Sequence, residues 1–164
     1  MIRCLFSKPK VIFGDSHMQG ATEEGQKISC YIPVRNLRRY GWLGWLFKRN
    51  DAIECRIKIE FIMDNKLLYK FVEPWADLPV GKTIPADSSY NDFLIASIGW
   101  DGHISLSGKL GTNASLERYR IPKKAHIIAN IKVTSREKVI AKCKWAINIR
   151  YKSIDPLQVI RIEV

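Results

Sequence analysis

The fold class is decided by the stretch Val139-Ile140-Ala141-Lys142-Cys143-Lys144-Trp145-Ala146-Ile147-Asn148-Ile149-Arg150-Tyr151. Its odd-numbered positions are all apolar or aromatic, and its even-numbered positions carry most of the polar side chains, namely Lys142, Lys144, Asn148 and Arg150. Successive side chains of a strand point to opposite faces, whereas a helix would scatter both sets around its axis. The stretch therefore predicts a half-buried β-strand.

The same alternation recurs along the chain, in the runs Ile53 to Met63, Ile28 to Val34, Ile127 to Val133 and Ile160 to Val164. Shorter candidate strands are Val11 to Phe13, Leu67 to Val72, Phe93 to Ile98 and Ile104 to Leu106. Turn residues such as Asp64-Asn65 and Ser135-Arg136-Glu137 separate neighbouring runs, as hairpin connections do. Helical patterning is nearly absent. We therefore predict a single all-β domain over residues 1–164, a two-layer antiparallel β-sandwich, with a closed β-barrel as the alternative.

The order of these features resembles that of bacterial immunoglobulin-like or fibronectin-type sandwich domains. The strings that carry the resemblance are Ile32-Pro33-Val34-Arg35-Asn36, then Ala52 to Ile59 after a loop, and Glu73-Pro74-Trp75 before the run Phe93 to Ile98. The antibody pattern of Cys, Trp and Cys is not matched, because Cys143 and Trp145 share one strand. The resemblance spans about Lys27 to Val164 and implies an immunoglobulin-like fold with a binding or structural role. It transfers no functional residue.

The charge balance is strongly basic. The 164 residues contain 27 Lys and Arg against 16 Asp and Glu, for a formal net charge of +11. Such a field favours anionic partners: nucleic acid, an anionic membrane surface or an acidic protein. A solvated surface that keeps the domain soluble accounts for the same charge. The hydrophobic content of 46% excludes a disordered chain.

The four cysteines, Cys4, Cys30, Cys55 and Cys143, form no CxxC pair. Three of them fall on the apolar side of an alternating run, so we expect small, buried, reduced side chains. The start of the chain lacks the apolar stretch of a signal peptide, and no run is long enough to span a bilayer. We therefore expect a soluble, cytoplasmic protein.

No motif for catalysis, metal binding or cofactor binding is present. The three histidines, His17, His103 and His126, lie in separate segments and outside any known nucleophile motif. The sequence predicts a protein that is not an enzyme and that needs no cofactor or metal. A small enzyme or carbohydrate binder built from loop residues is a third hypothesis, and its candidates are Trp75, Trp100 and His103, with Asp101 beside the histidine.

An aromatic and basic segment, residues 36–50, lies between two predicted strands, where a short turn would suffice. Its candidate binding residues are Arg38, Arg39, Tyr40, Trp42, Trp45, Phe47, Lys48 and Arg49. This composition is typical of a protein-binding hot spot. It also suits an anionic membrane surface, and the aromatic residues could instead cap one end of the sandwich. Binding of another protein through this loop is the leading functional prediction.

A basic sheet face is the second candidate. Lys142, Lys144, Arg150 and Lys152 lie on the polar side of the strand from 139 to 151, and Lys123, Lys124 and Lys132 join them if the preceding strand pairs with this one as a hairpin. Cations spaced two residues apart could follow a phosphate backbone, which makes a nucleic-acid-binding protein the alternative. Sheets that bind single strands usually add exposed aromatic rings, but Trp145 and Tyr151 belong to the opposite side.

Overall fold

Two antiparallel β-sheets pack against each other in the structure, which is a computed structural model. It describes residues 8–20, 27–37, 50–74, 82–86, 91–99, 104–106 and 121–162. Strands of opposite sheets contribute to one continuous core, and within the described residues the sheets are not closed into a barrel. The predicted all-β sandwich is therefore confirmed, and the alternative barrel is not what forms.

Within the described residues, five strands make the first sheet and six make the second. The first sheet contains β1 (Val11–Phe13), β2 (His17–Gln19), β3 (Lys27–Asn36), β7 (Asn91–Gly99) and β8 (Ile104–Leu106). The second sheet contains β4 (Ala52–Met63), β5 (Lys66–Pro74), β6 (Lys82–Ile84), β9 (Lys124–Ser135), β10 (Lys138–Arg150) and β11 (Leu157–Ile162). The first sheet runs in the order β1-β3-β7-β8, and β2 also pairs with β3. The second runs in the order β11-β10-β9-β4-β5, and β6 also pairs with β4.

The core lies between the sheets, where the alternating apolar side chains of both meet. Trp145 and Phe61 are its largest fully buried side chains, and isoleucines such as Ile32, Ile95 and Ile131 fill the space around them. Burial of each such side chain contributes about 1.5–3 kcal/mol to stability. The alternation that predicts a half-buried β4, β9 and β10 is thus the alternation that builds the core.

Two hairpins of the six-stranded sheet turn on two residues each. Asp64 and Asn65 connect β4 to β5 with φ of 51° and 60°, and Arg136 and Glu137 connect β9 to β10 with φ of 46° and 66°. Positive φ at both central positions is the geometry of the tight turns that match the twist of paired strands. Both hairpins predicted from the sequence are confirmed.

In three places the structure differs from the pattern. The register of β10 shifts between Val139 and Ala141, and this bulge leaves the Val139 side chain 55% exposed instead of on the apolar face. In β11 the buried residues are Leu157 and Val159, while Ile160 is 52% exposed, so the predicted inward face was wrong by one residue. The short strands β2 and β6 carry no clear alternation and were not predicted.

Asn36, at the end of β3, joins four segments of the chain. Its side-chain oxygen accepts a hydrogen bond from the backbone amide of Lys10 at 3.0 Å. Its side-chain nitrogen lies 3.0 Å from the carbonyl oxygen of Asn50 and 3.3 Å from that of Ile84, and donates to both. Asn36 is only 1% exposed, so these bonds satisfy an amide that burial would otherwise penalise.

Candidate binding face of the six-stranded sheet

The seven residues predicted for a basic sheet face all belong to the six-stranded sheet or to its adjoining turns. Lys132 lies on β9, Lys142 and Lys144 on β10, and the remaining four, Lys123, Lys124, Arg150 and Lys152, lie where β9 begins and β10 ends. The structure therefore divides the predicted set into two groups at opposite ends of the sheet face that is turned away from the core.

Two members of the first group, Lys132 and Lys142, form a row with Lys58 across three neighbouring strands, which we call the lysine row. Lys58 on β4 is directly opposite Lys132 on β9, and Lys132 is directly opposite Lys142 on β10. None of the three forms an ion pair with another described residue. Like charges placed directly opposite each other on a sheet destabilise it. A row of this kind lowers stability unless an anion lies over it.

The next row along the strands contains the acidic residue of this face. The Lys70 ammonium lies 3.0 Å from a carboxylate oxygen of Glu60, and Asn130 and Lys144 follow in register on β9 and β10. The hydrogen bond from Lys70 holds the pKa of Glu60 below its usual range, and the charges of Lys70 and Lys132 lower it further. Because the ion pair of Glu60 is with Lys70, its charge offsets that of Lys132 only in part, and the three cations of the lysine row exceed the negative charge beside them.

A third row is aliphatic and crosses five strands, and we call it the apolar row. In register from β5 to β11 it consists of Leu67, Ile62, Ile128, Ala146 and Ile160. Leu67 is 62% exposed and Ile160 is 52% exposed, while Ile62 and Ile128 are half-buried. Scattered exposed apolar residues are normal on a protein surface, but a contiguous set is typical of an interaction site.

A shallow depression lies in the basic part of this face. It encloses about 340 Å³ and is lined mainly by Glu60, Asn130, Lys132, Lys142 and Lys144. With a rise of about 3.4 Å per residue, the lysine row and the apolar row are roughly 14 Å apart. The face therefore offers a cationic site and an apolar site at a fixed separation.

The second cationic group surrounds Tyr151. The ammonium of Lys123 lies 4.9 Å from the centre of the Tyr151 ring, and that of Lys152 lies 6.0 Å from it. Arg150 and Lys124 are directly opposite each other on β10 and β9. Tyr151 was placed with the buried residues by the alternation, but it lies just past the end of β10 and is half-buried.

All eight predicted binding residues of the aromatic loop lie outside the described residues: Arg38, Arg39, Tyr40, Trp42, Trp45, Phe47, Lys48 and Arg49. The same holds for Cys4, Trp75, Trp100, Asp101 and His103. The two ends of the loop are described, and the hydrogen bond from the Asn36 side chain to the Asn50 carbonyl joins them. The loop thus starts and ends at one point of the sandwich.

The described side chains offer little for nucleophilic chemistry. Cys30, Cys55 and Cys143 are free and buried, as predicted. Burial raises the pKa of Cys30 and Cys55 to about 11 and that of Cys143 to about 12, so none supplies a thiolate near neutral pH. The indole nitrogen of Trp145 also donates a hydrogen bond to the Cys143 sulfur at 2.9 Å.

His17 lies apart from these thiols, on the five-stranded sheet. Its ring stacks on Tyr31 with 5.7 Å between ring centres, and its Nε2 atom is 3.6 Å from a carboxylate oxygen of Asp92. Among the described residues, no three His, Cys, Asp or Glu side chains are grouped so as to hold a metal ion. No helix among them is long and apolar enough to cross a membrane.

Sequence reasoning missed Lys58 and Lys70 as members of the basic face, and it missed the apolar row. The signal for Lys58 was present, because it lies on the polar side of the run Ile53 to Met63. Only the pairing of β4 with β9 brings it opposite Lys132. No protein-family model matches the chain, and no curated protein matches it either.

Proposed function

We propose that the chain is a non-enzymatic binding module that holds a protein partner on the outer face of its six-stranded sheet. The observation that carries the proposal is the parallel arrangement of the lysine row and the apolar row on that face. A partner with acidic and aliphatic side chains would complement both rows. The net charge of +11 would speed the encounter with such a partner.

The apolar row favours a protein over a nucleic acid. Leu67 and Ile160, which are 62% and 52% exposed, would each contribute about 1–2 kcal/mol if a partner removed them from water. Aliphatic side chains give a phosphate backbone nothing to bind, and bases need aromatic rings on which to stack. Among the described residues of this face, the lysine row and the apolar row contain no aromatic side chain. The rows therefore suit a mixed acidic and apolar protein surface better than a polyanion.

Nucleic-acid binding is the second candidate, and the lysine row favours it. The three cations of the lysine row, together with the group around Tyr151, could contact phosphates at both ends of the face. Binding of this kind weakens steeply with salt, because each phosphate contact releases counterions. A salt titration with single- and double-stranded nucleic acid tests it. Lack of binding at low ionic strength removes this candidate.

The test of the leading proposal is affinity capture of partners with the intact chain and with two surface variants. Leu67→Glu and Ile160→Glu place a carboxylate in the apolar row, and both residues are exposed, so folding should be preserved. We expect each variant to lose partners that the intact chain retains. Met18→Glu is the matched control, because Met18 is 46% exposed and lies on the other sheet. Equal capture by all four proteins would overturn the proposal.

Two further variants separate the sheet face from the aromatic loop. Glu60→Gln removes the carboxylate that lies between the lysine row and the apolar row, and it should tighten binding of an acidic partner. Replacement of Trp42 and Trp45 by serine should leave folding intact and should weaken the interaction only if the loop takes part in it. A partner lost with the loop variants and kept with Leu67→Glu would move the binding site to the loop.

A further inference from the structure

A cleft of about 850 Å³ lies where the β9–β10 hairpin turns, beside the start of β4 and the segment that leads into β1. It is lined by Lys8, Pro9, Asn50, Asp51, Ile53, Ser135, Arg136, Lys138, Val139 and Ile140. Clefts of roughly 300–1,000 Å³ are the size at which proteins bind small molecules. The cleft is separate from the lysine row and the apolar row, whose members do not line it.

One wall of the cleft is apolar, and a β-bulge creates it. Alternation along β10 would direct Val139 into the core, but the register shift between Val139 and Ala141 turns it outward. Ile140, Ile53 and Pro9 extend the same wall. A second register shift lies between Ala52 and Cys55 of β4, so bulged strands border the cleft on two sides. Bulges often redirect side chains next to binding sites.

The polar part of the lining is mainly cationic. Lys8, Arg136 and Lys138 line the cleft, and none of them pairs with an acidic residue among those described. The carboxylate of Asp51 is engaged by the backbone amide of Ala86 at 2.8 Å. The hydroxyl of Ser135 donates to the carbonyl of Ile53 at 2.6 Å. Three cations therefore face the single negative charge of Asp51, and the lining carries a net positive charge.

We propose that this cleft binds a small anionic ligand with an apolar body. Its carboxylate or phosphate group contacts the cations of Lys8, Arg136 and Lys138, and its aliphatic part packs on Val139 and Ile140. A bare inorganic anion would leave the apolar wall in water, and a neutral aliphatic molecule would leave the three cations without a partner. A ligand that carries both an anionic group and an apolar body therefore matches the apolar wall and the cationic part of the lining.

The first experiment compares four probes by calorimetry and by amide chemical shifts of the ¹⁵N-labelled full chain. Decanoate and decyl phosphate carry both features, 1-decanol lacks the charge, and inorganic phosphate lacks the apolar body. We expect saturable binding of the first two, below their micelle-forming concentrations, with shifts concentrated at residues 8–9, 50–53 and 135–140. The other two should bind at least tenfold more weakly. Equal binding of 1-decanol or phosphate would contradict the proposal.

A pair of variants then places the probe. Val139→Glu introduces a negative charge into the cleft at an exposed position, and we expect at least a tenfold loss of decanoate affinity with an unchanged melting temperature. Leu67→Glu is the matched control, an exposed strand residue outside the cleft that should bind decanoate normally. If Leu67→Glu loses the probe and Val139→Glu keeps it, the site is the apolar row and the proposal is wrong.

Two additional measurements close the remaining alternatives. Should Val139→Glu fail to fold, Arg136→Gln with Lys138→Gln removes two cations and should weaken decanoate binding while sparing 1-decanol. Co-sedimentation with phosphatidylglycerol vesicles distinguishes a free ligand from a membrane lipid. Binding to the vesicles without binding to free decanoate would overturn the proposal. The outcome is independent of partner capture, which depends on Leu67 and Ile160.

Discussion

The side-chain nitrogen of Asn36 donates a hydrogen bond to the carbonyl oxygen of Asn50 at 3.0 Å, and so connects the end of β3 to the segment that enters β4. Lys10 and Ile84 bind the same side chain through their backbones. One buried amide therefore holds both sheets in place at the base of the aromatic loop.

Asn36→Ala should lower the free energy of unfolding by about 2–4 kcal/mol, because it leaves a buried amide and two carbonyl groups without their partner. Urea denaturation measures the loss. Asn50→Ala is the control: Asn50 takes part through its backbone and its side chain is exposed, so the change should stay within about 0.5 kcal/mol. Equal effects of the two substitutions would show that the amide bonds contribute little.

Lys132→Glu should stabilise the protein by about 0.5 kcal/mol, because the attractions that a carboxylate gains with Lys58 and Lys142 outweigh the single attraction between Lys132 and Glu60 that it removes. The same substitution should abolish binding of an acidic partner to the face. Denaturation in urea and partner capture, performed on one preparation, measure both effects. Lys27→Glu, on the other sheet and opposite Gly99, should change neither by a measurable amount. A destabilised Lys132→Glu would contradict the repulsion in the lysine row.

The buried thiols predict a loss of stability at alkaline pH. The pKa of a cysteine in the unfolded chain is about 9.0, whereas burial raises the pKa of Cys30 and Cys55 to about 11 in the folded protein. The stability that these thiols contribute is complete below pH 9 and is lost as pH rises from 9 towards 11. Cys143, whose pKa is about 12, continues the loss further.

Replacement of Cys30 by alanine should therefore flatten the decline of stability between pH 9 and 11, by an amount on the order of 1 kcal/mol. Denaturation curves taken at several pH values measure it. In the intact protein at pH 8, peptides with Cys30, Cys55 and Cys143 should escape iodoacetamide, and all three should react in denaturant. Rapid labelling of the folded protein would show that the thiols are accessible.

Gly20→Ala should destabilise the protein by about 1–3 kcal/mol. Gly20 follows β2 with a φ of 101°, and a β-carbon built there would lie 2.1 Å from the carbonyl oxygen of Lys27. Neither the backbone angle nor the space suits another residue. Thermal denaturation checks the loss, with Gln19→Ala, an exposed neighbour, as the control. An unchanged melting temperature would show that the backbones at Gly20 and Lys27 can move apart to make room for a β-carbon.

The sequence predicted the strands well because a half-buried strand repeats every two residues. β1 and β8 match their predicted runs, and β4, β9 and β10 differ by a few residues at their ends. The errors arose where the period breaks. In β10, a bulge turns Val139 outward. In β11, Ile160 was predicted to face inward, but the buried residues are Leu157 and Val159. One extra residue in a strand turns all the side chains that precede it to the opposite face of the sheet.

The candidate face was harder to predict, because its rows run across strands. Lys142 is opposite Lys132 only because the bulge between Val139 and Ala141 shifts their hairpin by one residue. Lys58 joins them only through the pairing of β4 with β9, which are distant in sequence. Nothing in the alternation of one strand specifies its register with a distant one. The apolar row was hidden for the same reason, since Leu67, Ile128 and Ile160 belong to three separate runs.

We expect the pairing of β4 with β9 to be the slow step of folding. The β4–β5 hairpin and the β9–β10–β11 meander can each form through contacts between neighbours in sequence, whereas their junction must close a long intervening segment. Sheets that depend on such distant contacts fold in milliseconds to seconds. Because Lys58 and Lys132 approach each other at this junction, dissolved salt should screen their repulsion and accelerate the closing step.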